Sequence, residues 1–276
     1  MFSTWMRHTV LASALVMGSA STLIVGTTGS AFAKCSNSAA GFKTFKKEFA
    51  AYARSQGVGQ RGLAALADTS YSRSVIKFDR AQRKSFKKGF DAFYKLRTTG
   101  LARPAKKRLK KHKRLFDAVE RRYGVPREVL VTIWGMETAF GYYSGKYDIV
   151  TSLATLTHDC RRTEFFRPNL LAALQIIDNG WMPRSQMKGA RHGEIGQTQF
   201  MAKNYVLFGV DYNGDGRRDL VSSIGDVMAS TANYLKQHGW RAGEPYGQGT
   251  HNFRVLNEWN AATVYQKAIA KFAASL

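Results

Sequence analysis

Residues 123–141 read Tyr-Gly-Val-Pro-Arg-Glu-Val-Leu-Val-Thr-Ile-Trp-Gly-Met-Glu-Thr-Ala-Phe-Gly, and this stretch decides the fold. Pro126 suits the first helical position, where its missing N–H is not needed, so a helix is predicted over residues 127–140. Apolar side chains recur along it at intervals of three and four residues, which is typical of a helix with one buried face. That face carries Leu130, Ile133 and Trp134.

Glu137 continues the same apolar face, two helical turns after Leu130. A carboxylate on the inner side of a helix is desolvated, which disfavours its ionised form and raises its pKa, as a general acid working near neutral pH requires. A structural ion pair would also place a glutamate there. From the helix alone, Glu137 is a candidate catalytic acid, with a structural ion pair as the alternative.

Helical spacing also dominates the rest of the chain, and long alternating strand patterns are absent from the sequence. Aromatic stripes such as Phe42, Phe45 and Phe49 are typical of a core, and a glycine-rich loop is predicted over 240–252. The fold class is therefore predicted to be mainly α. Further helices are predicted near 168–179, 199–208, 223–238 and 259–273.

An export signal is predicted over residues 1–33. Arg7 precedes an apolar run over 10–25, and the segment ending at Ala33 has the small-x-small pattern that signal peptidase reads. The apolar run contains Gly and Ser and is short for a bilayer span. We expect cleavage after Ala33 and a periplasmic protein that keeps no stable membrane anchor.

Two cysteines, Cys35 and Cys160, are the only ones in the chain. In an oxidising compartment such a pair tends to close, so a Cys35–Cys160 disulfide is predicted. The alternative is a lipidated first residue at Cys35, but Lys34 directly precedes it and the leucine of a lipobox is missing.

The net charge of the chain is +23, and removal of residues 1–33 lowers it only to +22, because they carry one Arg and no acid. The densest basic run is 106–114. An exported protein does not meet nucleic acid, so nucleic acid is excluded as a partner. The polyanions that a basic face would attract outside the inner membrane are wall polymers with free carboxylates and anionic lipid. A solvated helix face that serves only solubility is the alternative.

Residues 211–226 have the ligand order of an EF-hand calcium loop. Oxygen-bearing side chains occupy positions 1, 3, 5 and 9, with a glycine at 6 and a backbone carbonyl at 7. Position 12 is Ser222, so Asp226 is predicted to supply the missing carboxylate. We expect a structural Ca²⁺ site, the alternative being a solvated Asp/Gly turn. The predicted ligands are Asp211, Asn213, Asp215, Arg217, Asp219 and Asp226.

Six segments resemble, in order and spacing, the membrane-bound lytic murein transglycosylase B family, whose catalytic domain is lysozyme-like. The resemblance implies a lysozyme-like transglycosylase domain over 123–276 and an N-terminal helical region over 34–122 packed on it. Family members carry a long insertion where only 241–251 stands here, which bears on the far sugar subsites. The segments are Tyr123-Gly-Val-Pro126, Ile133-Trp-Gly-Met-Glu-Thr-Ala-Phe-Gly141, Ser152-Leu-Ala-Thr-Leu156, Gly193-Glu-Ile-Gly-Gln-Thr-Gln-Phe-Met201, Ala232-Asn-Tyr-Leu235 and His238-Gly-Trp240.

The resemblance also implies substrate-binding residues. Gln199 matches a glutamine that hydrogen-bonds the sugar near the scissile bond. Tyr234 matches a cleft tyrosine, and Trp259 with Asn260 matches an aromatic–Asn pair that lines the sugar cleft. Tyr265 belongs to the same closing segment, and we expect it to stack on a sugar face as Tyr234 and Trp259 do.

The implied reaction needs a single carboxylate, and Glu137 matches the catalytic glutamate of the family. It would protonate the glycosidic oxygen between N-acetylmuramic acid and N-acetylglucosamine and then deprotonate the muramoyl C6 hydroxyl. This reaction leaves 1,6-anhydromuramoyl ends and needs no cofactor. Ordinary glycosidases use two carboxylates, so Glu194 is weighed as a second one, although a loop-orienting role is favoured for it.

The expected protein is a monomer that acts on the glycan strands of peptidoglycan and binds no nucleic acid. Two alternatives stay open at this point. One is a hydrolytic muramidase on the same fold, and the other is a peptidoglycan-binding protein without catalytic activity.

Overall fold

The protein is described by a computed structural model over residues 35–81 and 89–276, and these residues are mainly helical, as predicted. The predicted export signal over 1–33 lies outside the described residues. No helix among the described residues has the length and apolar character needed to cross a bilayer. The helices are α1 Phe42–Ser55, α2 Gln60–Ala67, α3 Arg73–Ala81, α4 Phe90–Thr98, α5 Ala102–Lys111, α6 Lys113–Tyr123, α7 Arg127–Thr138, α8 Ile149–His158, α9 Thr163–Asp178, α10 Ala202–Phe208, α11 Ile224–Gln237, α12 His251–Trp259 and α13 Thr263–Ala273; the strands are β1 Tyr147–Asp148 and β2 Lys188–Gly189.

Helix α7 carries the sequence that decided the fold, and it is buried on nearly every side. It contacts α4, α5, α6, α11 and α13, so apolar residues all round its circumference are covered. It begins directly after Pro126, as predicted, and ends two residues early. The reason is that Ala139 and Phe140 have φ of 50° and 64°, which a continuing helix excludes.

The N-terminal helices lie against two different parts of the chain. Helices α1, α2 and α3 contact α8 or α9, whereas α4 contacts α13 and α7. All described residues belong to one compact unit. The boundary between an N-terminal region over 34–122 and a catalytic domain over 123–276 stays a prediction.

A small β feature precedes α10. Strands β1 and β2 are antiparallel, and isolated bridges join Gly189 to Ile195 and Ile195 to Phe200. A Cβ atom at Gly189 would lie 1.9 Å from the Glu194 carbonyl oxygen, so only glycine allows this approach. Because residues 195–200 form this turn, α10 begins at Ala202 and not at the predicted residue 199.

The C-terminal prediction was wrong in one respect. A glycine-rich loop was expected up to residue 252 and one helix over 259–273, but α12 already begins at His251 and α13 begins at Thr263. Thr250 caps α12 by accepting the Phe253 N–H. Asn260 has extended backbone and accepts the Ala262 N–H, which separates the two helices.

Cys35 and Cys160 form the predicted disulfide, which joins positions 125 residues apart. The neighbouring Ser36 N–H donates to the His158 carbonyl oxygen over 2.9 Å, so the first described residues are tied to the end of α8. A covalent link across so long a segment lowers the entropy of the unfolded chain.

Replacement of both cysteines, in Cys35→Ser/Cys160→Ser, should lower the free energy of unfolding by about 2–4 kcal/mol, the usual effect of losing such a constraint. Urea unfolding of the variant and of the oxidised and reduced wild type measures this. A reductant should shift only the wild type. Equal midpoints for oxidised and reduced wild type would contradict a stabilising role.

Candidate active site

A cleft of about 590 Å³ brings together five of the six residues predicted to act in catalysis or substrate binding. Glu137 enters it from the last turn of α7. Further lining residues come from α11, from α12 beside Glu137, and from the segment after α12, and the turn over 195–200 forms the floor. The five residues are Glu137, Gln199, Tyr234, Trp259 and Asn260.

The Glu137 carboxyl group is anchored through one of its two oxygens. Its Oε1 accepts the Tyr265 hydroxyl over 2.7 Å and the Trp259 Nε1–H over 3.1 Å. No described residue donates to Oε2. Two donors therefore fix the carboxyl orientation, and one oxygen is left to exchange a proton with a molecule in the cleft.

Burial raises the pKa of Glu137 above its ordinary value, because the surrounding protein solvates the carboxylate poorly. The hydrogen bonds from Tyr265 and Trp259 act in the opposite direction, since they favour the ionised form, and so does the charge of Arg97. The charge of Glu194 adds to the rise. The net result is a carboxyl group that holds its proton to higher pH than an exposed glutamate, which suits a general acid.

Tyr265 differs from its expected position. Its side chain is 3% exposed, does not line the cleft, and lies behind Glu137 with its ring 6.0 Å from that of Phe93. Burial keeps the pKa of its hydroxyl well above the ordinary value, so it stays a donor to the carboxylate. The expected stacking on a sugar is corrected, because a buried ring has no free face.

Arg97 was missed by the sequence analysis. It donates to the Met136 carbonyl oxygen, and its guanidinium lies 5.5 Å from the centre of the Tyr265 ring. Helix α4 therefore delivers a positive charge to the back of the Glu137 site. The sequence has no local signal for this contact, because the packing of α4 on α7 and α13 is a tertiary feature.

Gln199 lies on the cleft floor in a strained backbone conformation, with φ of 57°. Its side-chain Nε2 donates to the carbonyl oxygens of Gly196 over 2.8 Å and Ser144 over 3.2 Å. No described residue donates to its amide oxygen. The amide is thus held by backbone at one end and is free to accept a hydrogen bond at the other.

The floor is fixed relative to Glu137 by contacts with α7 itself. Thr138 Oγ1 donates to the Gln197 carbonyl oxygen over 2.6 Å, and Trp134 Nε1 donates to Gln197 Oε1 over 2.8 Å. Gly141 passes so close that a Cβ atom there would lie 2.5 Å from Gln197 Oε1. These contacts require a glycine at position 141 and a hydroxyl group at position 138.

Tyr234, Trp259 and Asn260 line the cleft on the side where Trp259 contacts Glu137. The Tyr234 hydroxyl donates to the Glu258 carbonyl oxygen over 2.6 Å, and burial raises its pKa to about 12. The rings of Tyr234 and Trp259 meet edge to face with centres 5.3 Å apart. Tyr234 is 6% exposed and its ring stacks on that of His238 with centres 4.1 Å apart, so its predicted stacking on a sugar is corrected and it instead packs against Trp259. Trp259 is partly exposed and is the aromatic side chain of this group that can contact a sugar face.

A charged network on the far wall was also missed. Asp79 is buried and pairs with Arg161, Arg162 and His192, of which Arg162 and His192 line the cleft. Glu194 lines it too, with one carboxylate oxygen accepting the His192 N–H over 3.1 Å. Glu194 thus shares the cavity with Glu137, and its contact with its own loop agrees with a loop-orienting role.

The predicted calcium loop lies away from the cleft. The carboxylate of Asp211 accepts the N–H groups of Gly214, Asp215 and Gly216. Among the described residues, no three His, Cys, Asp or Glu side chains are grouped as they would be around a metal ion.

Asp226 is fully buried at the base of this loop and accepts the N–H groups of Tyr212 and Asp219, over 3.0 and 2.8 Å. Burial raises its pKa, and the charge of Asp211 adds to this effect. Asp226, in the first turn of α11, therefore joins the start of the loop at Tyr212 to its middle at Asp219.

The sequence profile of the transglycosylase SLT domain family matches residues 41–250, which is most of the chain. The membrane-bound lytic murein transglycosylase B of Escherichia coli (strain K12) is 39% identical over 123 residues. They make up 44% of this chain and 34% of the relative, so the chain spans about a third of the length of the curated relative that it matches.

Solved structures resemble the fold over most of its length. SltB3 from Pseudomonas aeruginosa, in complex with NAG-anhNAM-pentapeptide, has a TM-score of 0.79 at 30% identity and covers 85% of this chain and 79% of that chain. Slt35 from Escherichia coli, in complex with calcium, has a TM-score of 0.74 at 22% identity and covers 83% and 91%. The second likeness concerns the fold alone.

Glu137→Gln should stabilise the protein at neutral pH. The raised pKa of Glu137 means that its contribution to stability is complete below the ordinary pKa of 4.5 and is lost as pH rises through the higher folded value. A neutral glutamine avoids that loss, and each unit of pKa difference corresponds to about 1.4 kcal/mol.

Urea unfolding of wild type and Glu137→Gln across a pH series measures this effect. The difference in free energy of unfolding should grow in favour of the variant as pH rises above 4.5. Glu258→Gln, at an exposed glutamate of the same cleft, is the matched control. A difference that stays constant with pH would show that the Glu137 carboxyl group is not desolvated.

Proposed function

The chain belongs to the transglycosylase SLT domain family, and from this premise we propose that it is a lytic murein transglycosylase. The family resemblance inferred from the sequence motifs is thereby confirmed. We propose that the enzyme cleaves the bond between N-acetylmuramic acid and N-acetylglucosamine in peptidoglycan. The observation that carries the proposal is the Glu137 carboxyl group, desolvated, anchored through Oε1 and free at Oε2 in a cleft of sugar-binding size.

The reaction divides into two proton transfers at Glu137. The protonated carboxyl group gives its proton to the glycosidic oxygen, the bond from that oxygen to C1 breaks, and the N-acetyl carbonyl of the same sugar stabilises the positive charge at C1. The ionised carboxylate then takes the proton of the C6 hydroxyl, whose oxygen bonds to C1. Glu137 ends in its starting state, and no water is consumed.

The surroundings of Glu137 support both halves of this cycle. Burial favours the protonated state that begins it, and donation from Tyr265 and Trp259 stabilises the carboxylate formed midway. The two effects oppose each other: burial is the larger and keeps the pKa above its ordinary value, while the two donors reduce the cost of forming the carboxylate. A residue that must both give and take a proton requires this balance.

We assign substrate contacts to the residues on the cleft surface. The free amide oxygen of Gln199 accepts a hydrogen bond from an N-acetyl or hydroxyl group, and the side chain of Asn260 offers a polar contact beside Trp259. Trp259 presents aromatic surface to the sugars, and Tyr234 packs against it. The proposed location is the cell envelope, in the periplasm, where the glycan strands lie.

A hydrolytic muramidase is the second candidate, and the presence of Glu194 in the same cavity favours it. In that reaction Glu194 would activate a water molecule as the second carboxylate. Its contact with His192 holds one of its oxygens, and its charge reaches Glu137. The product distinguishes the candidates, because hydrolysis leaves reducing ends and transglycosylation leaves anhydro ends.

Digestion of purified sacculi followed by mass spectrometry tests the proposal. The wild type should release 1,6-anhydromuropeptides, and Glu137→Gln should lose at least about 100-fold in rate, the usual effect of removing a general acid–base. Glu194→Gln should still yield anhydro products. Reducing ends from the wild type, lost in Glu194→Gln, would establish the hydrolase, and equal digestion by Glu137→Gln would exclude both mechanisms.

We also propose that the loop over 211–226 binds a structural Ca²⁺. The ligands would be side-chain oxygens of Asp211, Asn213, Asp215 and Asp219 and the Arg217 carbonyl, with Asp226 as the buried acid at the base. Hard oxygen donors of this kind select Ca²⁺. Support comes from the charge of Asp211, which contributes to the raised pKa of Asp226, because a cation would offset this repulsion.

Millimolar Ca²⁺ should raise the thermal unfolding midpoint of the wild type. At a Ca²⁺ concentration of about 100 times the dissociation constant, the free energy of unfolding should rise by roughly 2.7 kcal/mol. Asp215→Asn should abolish the shift. The control is Asp68→Asn, which changes an exposed aspartate directly after α2 and should keep the shift. A midpoint that does not respond to Ca²⁺ would leave the loop as a solvated Asp/Gly turn.

A further inference from the structure

A second cavity, of about 410 Å³, lies beside α5 and shares no lining residue with the cleft that contains Glu137. We call it the α5 pocket. One side is formed by Lys107, Arg108 and Lys111, which belong to the basic run 106–114. The proposed reaction gives this run no role.

The cations of the α5 pocket have no acidic partners. No Asp or Glu lines the cavity, and among the described residues no ion pair involves Lys107, Arg108 or Lys111. The neighbouring helices differ, since Lys113 and Arg127 both pair with Asp117. Positive charge is therefore concentrated on one wall without compensation, and it favours an anion.

Arg108 shows most directly that a partner is missing. Its guanidinium lies 4.2 Å from the centre of the Phe140 ring and 5.4 Å from that of Trp134, which holds it in place. Its one hydrogen bond to a described residue is a long one, 3.4 Å, to the Pro104 carbonyl oxygen. A guanidinium has five N–H donors, so most of them are available to a ligand.

The shape of the pocket selects a small anionic group. Trp134 and Phe140, which form its floor, are 2% and 8% exposed, so the cavity is recessed behind the basic wall. A fixed guanidinium fork matches a planar carboxylate through two parallel hydrogen bonds. Ser222 also lines the pocket and adds a hydroxyl group.

A lipid surface fits the pocket less well than a carboxylate. Helices that bind membranes place apolar side chains beside their basic residues and insert them between lipids. The exposed large apolar side chains among the described residues are Leu96, Tyr142, Tyr143, Phe165 and Leu207, and none of them lines the α5 pocket. The basic wall of the α5 pocket thus lacks the exposed apolar side chains that would insert into a membrane.

We propose that the α5 pocket is a binding site for a carboxylate of the stem peptide carried by peptidoglycan, with Arg108 as the residue that recognises it. The identity of the ligand rests on the proposed function, whereas the preference for an anion rests on the pocket alone. The site would hold the polymer by its peptides while the sugars occupy the cleft. It would raise affinity for the wall and take no part in the proton transfers.

A sugar-free stem pentapeptide with free carboxylates tests the site, because it avoids the sugar cleft. Isothermal titration is carried out with Glu137→Gln protein at low salt. In that background, Lys107→Gln/Arg108→Gln/Lys111→Gln should raise the dissociation constant roughly tenfold or more, the effect of losing charge-assisted hydrogen bonds. Arg108→Lys, which keeps the charge but not the fork, should also weaken binding.

The matched control is Lys43→Gln/Lys47→Gln/Arg54→Gln, which removes three exposed cations of α1 and changes the net charge equally. It should bind the peptide like the parent protein, and unchanged thermal midpoints should show that both triple variants are folded. The proposal is overturned if both variants weaken equally, if neither does, or if anionic phospholipid vesicles bind and the peptide does not.

This titration does not depend on bond cleavage. Peptide binding that requires Arg108, together with digestion that yields no anhydro products, would refute the proposed reaction and retain the site. Anhydro products together with peptide binding that ignores Arg108 would refute the site and retain the reaction.

Discussion

The structure depends on keeping one carboxyl group partly out of water while giving it two hydrogen-bond donors. Glu137 would be costly to ionise if it were simply buried, and it would be an ordinary acid if it were simply exposed. Tyr265 and Trp259 satisfy one of its oxygens from α13 and α12, and the other faces the cleft side. The fold has to hold elements that are 122 and 128 residues away from Glu137 in sequence at hydrogen-bond distance.

That requirement explains the central position of α7. A helix exposed on one side would let Glu137 tilt towards solvent, whereas α7 is covered by helices from both the N-terminal and C-terminal parts of the chain. The turn over 195–200 is then joined to α7 through Thr138 and Trp134, so the cleft floor moves with the acid. The non-glycine residues with positive φ among those described are Ala139 and Phe140, directly after α7, and Gln199 on the cleft floor, and strained backbone of this kind is common at functional positions.

The sequence predicted features that a local pattern of residues encodes, and it did not predict contacts that arise only when distant helices pack together. The face of α7 predicted the inward position of Glu137, and two cysteines predicted their own pairing. The resemblance to a family brought Gln199, Tyr234, Trp259 and Asn260 to one cleft, yet it placed Tyr265 on the cleft surface. Its true position depends on how α13 packs against α4, and no periodicity in either helix encodes that packing.

The same distinction applies to charge. The network of Asp79 and the contact of Arg97 with Tyr265 join residues far apart in sequence, so composition alone could not separate these engaged cations from the unpaired ones on α5. The chain has 42 basic and 19 acidic side chains. Several of the acids already form ion pairs within the protein, among them Asp79 with Arg161 and Asp117 with Arg127. The excess positive charge therefore lies at the surface, where its electric field extends over about a Debye length, roughly 8–10 Å, at physiological salt. A soluble metabolite would gain little from such a surface. Under the proposed function, a polymer that carries a carboxylate on every repeat would contact this surface many times. We therefore expect the charge to favour binding to the wall, while Glu137 acts on the glycosidic bond.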